Sequence, residues 1–259
     1  MKIGIFDSGL GGLVIAKALI EKLPQYDYLY YGDSAHLPYG DKTSGTVLSY
    51  TLSAIKYLIK HDCKLIILAC NTATAITLRY IQQRFIPQYA PDIKVLGVII
   101  PTVEKATEEN KSKIGIIATN ATIRTHIYKT ELLKLNPLCQ ITEIAAPELV
   151  PAVESNDFTL AKKIVGQYCH YFTNCQSLIL GCTHYPLLKS YFRQQLPHLS
   201  IISQDELIGD KLADYLQRHS EIETNLSQNF CYEFKATFLD KHFISVANML
   251  FPGISVQKS

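Results

Sequence analysis

Long apolar runs, dense positive charge and paired cysteine motifs are all missing from this chain of 259 residues. No stretch approaches the roughly 20 apolar residues that a membrane-spanning helix needs, so no membrane partner is expected. The formal charge is +2, from 25 Lys and Arg against 23 Asp and Glu, with no dense basic run. Charge therefore gives no support to binding of nucleic acid or an acidic membrane surface. The opening MKIGIFDSGLGG carries one Lys, no long apolar segment and no cleavage motif, so no signal peptide is expected. Seven cysteines form no CxxC, and no HxxxH occurs, which argues against a metal site. An odd number of thiols so spaced suits a reducing, cytoplasmic home. The glycines of DSGLGG fit neither GxGxxG nor the phosphate-loop spacing, leaving little support for nucleotide binding.

What the chain does have is alternation. KIGIF (2–6), YLYY (28–31), KLIILA (64–69), KVLGVI (94–99), KIGIIA (113–118), CQITEI (139–144), SLILG (177–181) and LSII (199–202) read as buried strands. Between them LVIAKALIEKL, VLSYTLSAIKYLIKH, ATAITLRYIQQRF and TIRTHIYKTELLKL carry apolar residues at helical spacing, and Pro24, Pro87 and Pro137 mark three stops. This order predicts an α/β fold of parallel sheets flanked by helices, with ligands at the carboxyl ends of the strands. The loops there read DSGLGG, GDSAHLPYGDK, CNTAT, GVIIPT, ATNAT and GCTHYP, small and rich in hydroxyls. Past Gly209, DKLADYLQRH and DKHFISVANML read as helices that pack back onto one part of the fold.

The chain also repeats itself. KIGIFDS at 2–8 recurs as KIGIIAT at 113–119, an offset of 111, and Cys70 and Cys182 stand 112 apart. Two landmarks at nearly one offset predict two related α/β halves, each with a cysteine at the same structural position. Most cysteines beside an apolar strand are small buried hydrophobes, and Cys63, Cys139, Cys169, Cys175 and Cys231 are read so. Cys70 and Cys182 each fall where a strand ends and a helix is expected, a place that favours the thiolate.

Two thiols across a cleft could form a redox couple, a metal clamp or two acid–base groups. Only the last explains the symmetry, because inverting a stereocentre removes a proton from one face and delivers one to the other. His184, two residues past Cys182, can favour the thiolate or relay a proton. Asp7 is as readily a helix cap as a carboxylate beside a thiol or a substrate ammonium. Tyr39-Gly40 makes a good turn, and nothing in the sequence alone singles out Glu154.

DSGLGG, GDSAHLPYG, ACNTAT, PELVPAVE and GCTHYPLL, in this order, closely resemble the glutamate racemases of the aspartate/glutamate racemase family. The likeness runs from residue 2 to about 190, and CNTA with GCTHYPLL is its most specific part. It implies a cofactor-independent enzyme of two pseudo-symmetric lobes, 1–97 plus 209–259 and 98–208, with the active site between them. It further implies that Cys70 and Cys182 exchange the Cα proton of glutamate, that Asp7 and His184 assist them, and that Glu154 is an auxiliary acid. Asp7, Ser8, Tyr39, Gly40, Asn71, Thr72, Thr183 and His184 match substrate-binding positions, and Thr119 and Thr122 a further threonine-rich loop. The family supplies D-glutamate for cell-wall peptidoglycan. Two departures stand out: His36 where many members carry Arg, and Ala118 for the usual Gly of the threonine loop. A racemase of another acidic amino acid such as aspartate, a family-related isomerase or lyase using the cysteines covalently, and a two-lobed ligand-binding module remain rivals. A homodimer stays open.

Overall fold

Ten strands appear in the computed structural model, which describes residues 1–109 and 111–259. They are β1 (Lys2–Asp7), β2 (Tyr28–Gly32), β3 (Cys63–Leu68), β4 (Lys94–Gly97), β5 (Lys113–Ala118), β6 (Gln140–Ala145), β7 (Ser177–Gly181), β8 (Ser200–Ile202), β9 (Tyr232–Ala236) and β10 (Val256–Lys258). They form a six-stranded sheet in the order β10-β9-β2-β1-β3-β4 and a four-stranded sheet in the order β6-β5-β7-β8. Every pairing is parallel. The order β2-β1-β3-β4 is repeated, strand for strand, by β6-β5-β7-β8. The KIGI repeat thus supplies the equivalent strands β1 and β5, and Cys70 and Cys182 follow the equivalent strands β3 and β7.

Strands buried on both faces must be apolar throughout, and the central ones are. Ile3 and Ile5 of β1 face a cluster that also holds Leu178 and Leu180 of β7, so one continuous apolar seam joins the two sheets. On the far side of the first sheet, Phe6, Leu29, Ile66 and Leu68 pack beneath helix α2 (Ser44–Lys60) through Val47, Ala54, Ile55 and Leu58. On the far side of the second, Ile114, Ile116, Ile179 and Ile202 meet Val103 and Leu132. Among the described residues no helix is long and apolar enough to cross a membrane.

Several elements depart from expectation for identifiable reasons. The run TIRTHIYKTELLKL is two helices, Asn120–Arg124 and Ile127–Leu135, because His126 takes a left-handed conformation (φ 50°) between them. The third predicted helix is α3 (Asn71–Tyr80), and it continues past its expected end. A π turn at Ile81–Phe85 widens it just before Pro87, and a last helical turn runs to Tyr89. KVLGVI is strand only to Gly97, since helix Ile99–Glu108 starts inside the predicted GVIIPT loop.

The tail holds its two predicted helices, Ile208–Arg218 and Lys241–Leu250, and also two unexpected strands. Helix Ile208–Arg218 crosses helix α1 (Gly12–Lys22) closely: a Cβ on Gly209 would sit 2.7 Å from Lys22 Cβ and 3.0 Å from the Ala18 carbonyl oxygen. Strand β9 extends the first sheet by pairing with β2, and Phe234 enters the main core at 2% exposure, stacked on Tyr30. Phe234→Ala is therefore expected to cost about 3–5 kcal/mol, read as a lowered unfolding midpoint in denaturant. A tail that merely lay on the surface would give less than about 0.5 kcal/mol.

Candidate active site

The carboxyl ends of β1, β3, β5 and β7 face one narrow cleft lined by Ser8, Leu37, Pro38, Tyr39, Gly40, Cys70, Asn71, Thr72, Thr119, Val150, Cys182, Thr183 and His184. Ten of the thirteen residues selected from sequence line it. The other three, Asp7, Glu154 and Thr122, stand directly behind lining residues and touch them.

Asp7 ends β1 and is fully buried. Its Oδ2 accepts from the backbone N–H of Gly9 at 2.9 Å and of Gly12 at 3.0 Å, and its Oδ1 accepts from the Thr183 hydroxyl at 3.2 Å. It thus ties the start of α1 to the loop after β7. Burial pushes this carboxyl up to about 6, against the pull of His184 and of the two backbone donors. No hydrogen bond joins Asp7 to Cys70 among the described residues; its influence on that thiol is through charge.

Cys70 caps α3. Its Sγ accepts from the Ala73 N–H at 3.4 Å and lies 3.5 Å from the Ser8 hydroxyl. The helix terminus was expected to favour the thiolate, and these two donors do pull that way. Burial and the nearby Asp7 carboxylate outweigh them, and the thiol is pushed up to about 12. The Cys182 side of the cleft is built differently. A 3-10 turn, Tyr185–Leu188, follows Cys182 in place of the expected α-helix. The partner of Cys182 is instead His184, whose Nδ1 is 3.6 Å from the sulfur and whose Nε2 donates to Glu154 Oε1 at 2.5 Å.

Burial disfavours a charged His184, but the hydrogen bonds to Cys182 and Glu154 outweigh it and hold the imidazole well above its ordinary range. A raised histidine contributes stability that is fully present below about pH 6.5 and fades as pH rises through the raised value. Asp7 acts in the same sense at lower pH. Its buried charge weakens the fold as pH rises from its ordinary 3.8 to about 6. Glu154→Gln keeps the shape and removes the charge, so the His184 ring is expected to titrate at distinctly lower pH. Imidazole resonances followed by NMR between pH 5 and 9 would report this, and an unchanged titration would show that Glu154 does not hold the ring cationic.

The remaining residues are fixed across the cleft. Thr72 Oγ1 lies 2.9 Å from Thr119 Oγ1 and 3.2 Å from Thr122 Oγ1, joining α3 to the loop after β5. Gly40 presses on Thr119, where a Cβ would come within 2.7 Å of the Thr119 Cβ. Tyr39 donates to Asp33 Oδ2 at 2.6 Å, and the same carboxylate meets His36 Nδ1 at 2.7 Å and accepts from Thr237 at 3.1 Å. Asp33 was not singled out from sequence, although its place directly after β2 is the signal that marks such loops. Leu37, Pro38 and Val150, apolar members of the lining, were not singled out from sequence. All seven cysteines are free, and no group of three or more His, Cys, Asp or Glu that could hold a metal ion occurs among the described residues.

Two halves of one strand order, each offering a thiol at the carboxyl end of the same strand to a shared polar cleft, define a two-lobed α/β enzyme with a paired-thiol site. The Asp/Glu/Hydantoin racemase family model matches residues 15–208, and the chain belongs to that family. It is 38% identical over 235 residues to the glutamate racemase of Ruegeria pomeroyi, covering 85% of this chain and 86% of that one. Its fold superposes on the crystal structure of glutamate racemase isoform RacE1 from Bacillus anthracis with a TM-score of 0.88 at 34% identity, over 100% of this chain and 97% of that one. The glutamate racemase of Francisella tularensis in complex with D-glutamate gives 0.86 at 33% identity, over 99% and 95% of the two chains.

Proposed function

We propose that this protein interconverts L- and D-glutamate by proton exchange between two thiols, without a cofactor, and so supplies D-glutamate for peptidoglycan in the cytoplasm of a bacterium. The observation that carries the reading is the pair Cys70 and Cys182, which follow equivalent strands and line the same cleft. The lobes take residues 1–97 plus 209–259 and 98–208, and glutamate lies between them.

One thiolate takes the α-proton from its face of Cα and becomes a thiol. The opposite thiol then delivers its proton to the other face and becomes a thiolate, so the reaction conserves protons and inverts the centre. The two sides are unlike in a way that suits this. His184, held cationic, sets a positive charge 3.6 Å from the Cys182 sulfur, while Cys70, buried and near Asp7, rests as a thiol. The α-proton of an amino acid is a poor acid, so developing negative charge must be met by fixed donors in a site closed to water. Ser8, Asn71, Thr72, Thr119 and Thr183 supply such donors on the cleft wall.

Polarimetry with L-glutamate, D-glutamate and L-aspartate tests the reading. Loss of rotation is expected from both glutamate enantiomers, at a rate that added pyridoxal phosphate leaves unchanged. Racemisation of aspartate in place of glutamate would hand the substrate to the nearest rival. A protein that bound glutamate but turned over neither acid would be a binding module.

A further inference from the structure

Asn71 begins α3 directly after Cys70 and lines the cleft, yet its side chain is gripped from behind by the other lobe. Its Oδ1 accepts from the Tyr128 hydroxyl at 2.5 Å and from Gln204 Nε2 at 3.2 Å. Gln204 Nε2 also donates to Tyr128 Oη at 3.1 Å, closing a triangle. Tyr128 lies in helix Ile127–Leu135, and Gln204 in the short turn after β8. Asn71, Tyr128 and Gln204 are 2%, 1% and 0% exposed, so no member can turn to water instead.

The amide has two ends with different chemistry. With Oδ1 saturated by two donors, only the NH2 group is left to offer, and Asn71 Nδ2 has no hydrogen-bond partner among the described residues. A buried amide nitrogen without an acceptor is costly, so a residue lining a cleft in this state calls for an acceptor in the ligand. Burial pushes the Tyr128 hydroxyl far above its ordinary range, so it stays protonated and remains a donor. Turning Gln204 over would face its oxygen against Asn71 Oδ1, two acceptors in contact. Turning both amides over would close the triangle as well, but would set the Asn71 nitrogen 2.5 Å from the Tyr128 oxygen, short for N–H···O and ordinary for O–H···O, so that contact favours Oδ1 toward Tyr128.

We propose that Tyr128 and Gln204 are positioning residues that fix the Asn71 amide with its NH2 toward the cleft, where it receives a carboxylate oxygen of the substrate. This rests on glutamate being the substrate. Because the two come from one lobe and Asn71 from the other, the amide is held by the packing between the lobes, so carboxylate recognition is tied to their register.

The test compares steady-state kinetics on L-glutamate for the wild type, Tyr128→Phe, Gln204→Met, Asn71→Ala and the pair Tyr128→Phe/Asn71→Ala. Tyr128→Phe keeps the ring and loses the donor, and is expected to raise KM about 10-fold, the scale of one hydrogen bond to a charged group, with kcat within about 3-fold. Gln204→Met is expected to do the same, which keeps the question open to measurement if one variant folds poorly. In the Asn71→Ala background Tyr128→Phe is expected to add nothing, since the group it orients is gone. A KM in Tyr128→Phe and Gln204→Met equal to that of an active wild type would overturn this inference alone. So would an equal further loss in the Asn71→Ala background, the mark of a merely structural role. A wild type without glutamate racemisation would overturn the proposed function and this inference with it.

Discussion

Cys70→Ser and Cys182→Ser are each expected to lower kcat by about 1000-fold or more in both directions, at the upper end of what positioned acid–base groups contribute. The hydroxyl is nearly isosteric with the thiol but far less acidic, so it fails both as the base and as the donor that completes inversion. The change is structurally mild. At position 70, serine is a preferred helix cap and can still accept from the Ala73 N–H that now meets sulfur. At 182 the oxygen can still meet His184. Thermal midpoints near that of the wild type should accompany the loss. Deuterated water separates two bases from one. Early in turnover the product should carry deuterium at Cα while recovered substrate does not, because each face is served by its own thiol. Equal labelling of both pools, or a serine variant with full activity, would sink the two-thiol mechanism.

Gly12→Ala carries the second large effect. A Cβ there would fall 2.1 Å from Asp7 Cβ and 2.6 Å from Asp7 Cγ, atoms too close to the backbone to swing aside. The neighbouring Gly11 is equally confined, with the Thr183 backbone carbon 2.7 Å from where a Cβ would lie. Either α1 moves or Asp7 does, and Asp7 cannot shift without losing the Gly9, Gly12 and Thr183 donors. The expected cost is about 1–3 kcal/mol of stability from overpacking. A fall of about 100-fold in kcat/KM should accompany it, the scale of a misplacement near 1 Å. Gly45→Ala is the control: it lies in α2 with nothing within 4 Å of its Cβ position, and should be neutral or stabilising by about 0.5–1 kcal/mol. Equal effects at the two glycines would refute the packing argument.

Both predictions concern places that the sequence marks clearly. The KIGI repeat and the cysteine spacing foretell the shared strand order because a duplicated strand carries its neighbours with it. Parallel sheets then put the cysteines and the hydroxyl loops at one edge. Strands β9 and β10 escape the same reading. YEFKA buries only Phe234 and Ala236, and VQK none of its residues, so neither shows the continuous apolar run of a central strand. Within the site, Cys182 and His184 are legible as local neighbours, whereas Glu154, Asp33, Tyr128 and Gln204 act across 30 to 204 residues of chain or at least across a fold boundary. Only tertiary folding brings such groups together. The helix-terminus argument for Cys70 overrated the effect, because desolvation in a closed cleft is the larger force.

The apolar seam from β1 to β7 also governs how the molecule can breathe. Swinging the lobes apart like a clamshell would expose Leu10, Leu13, Leu149, Val153 and Leu188, all fully buried, at about 25 cal/mol for every Å² uncovered. A small sliding or rocking motion keeps that surface covered. Traffic of the amino acid is then expected to pass the half-buried Leu37-Pro38 segment of the lining, so the pace of product escape belongs to a short surface loop and not to a hinge.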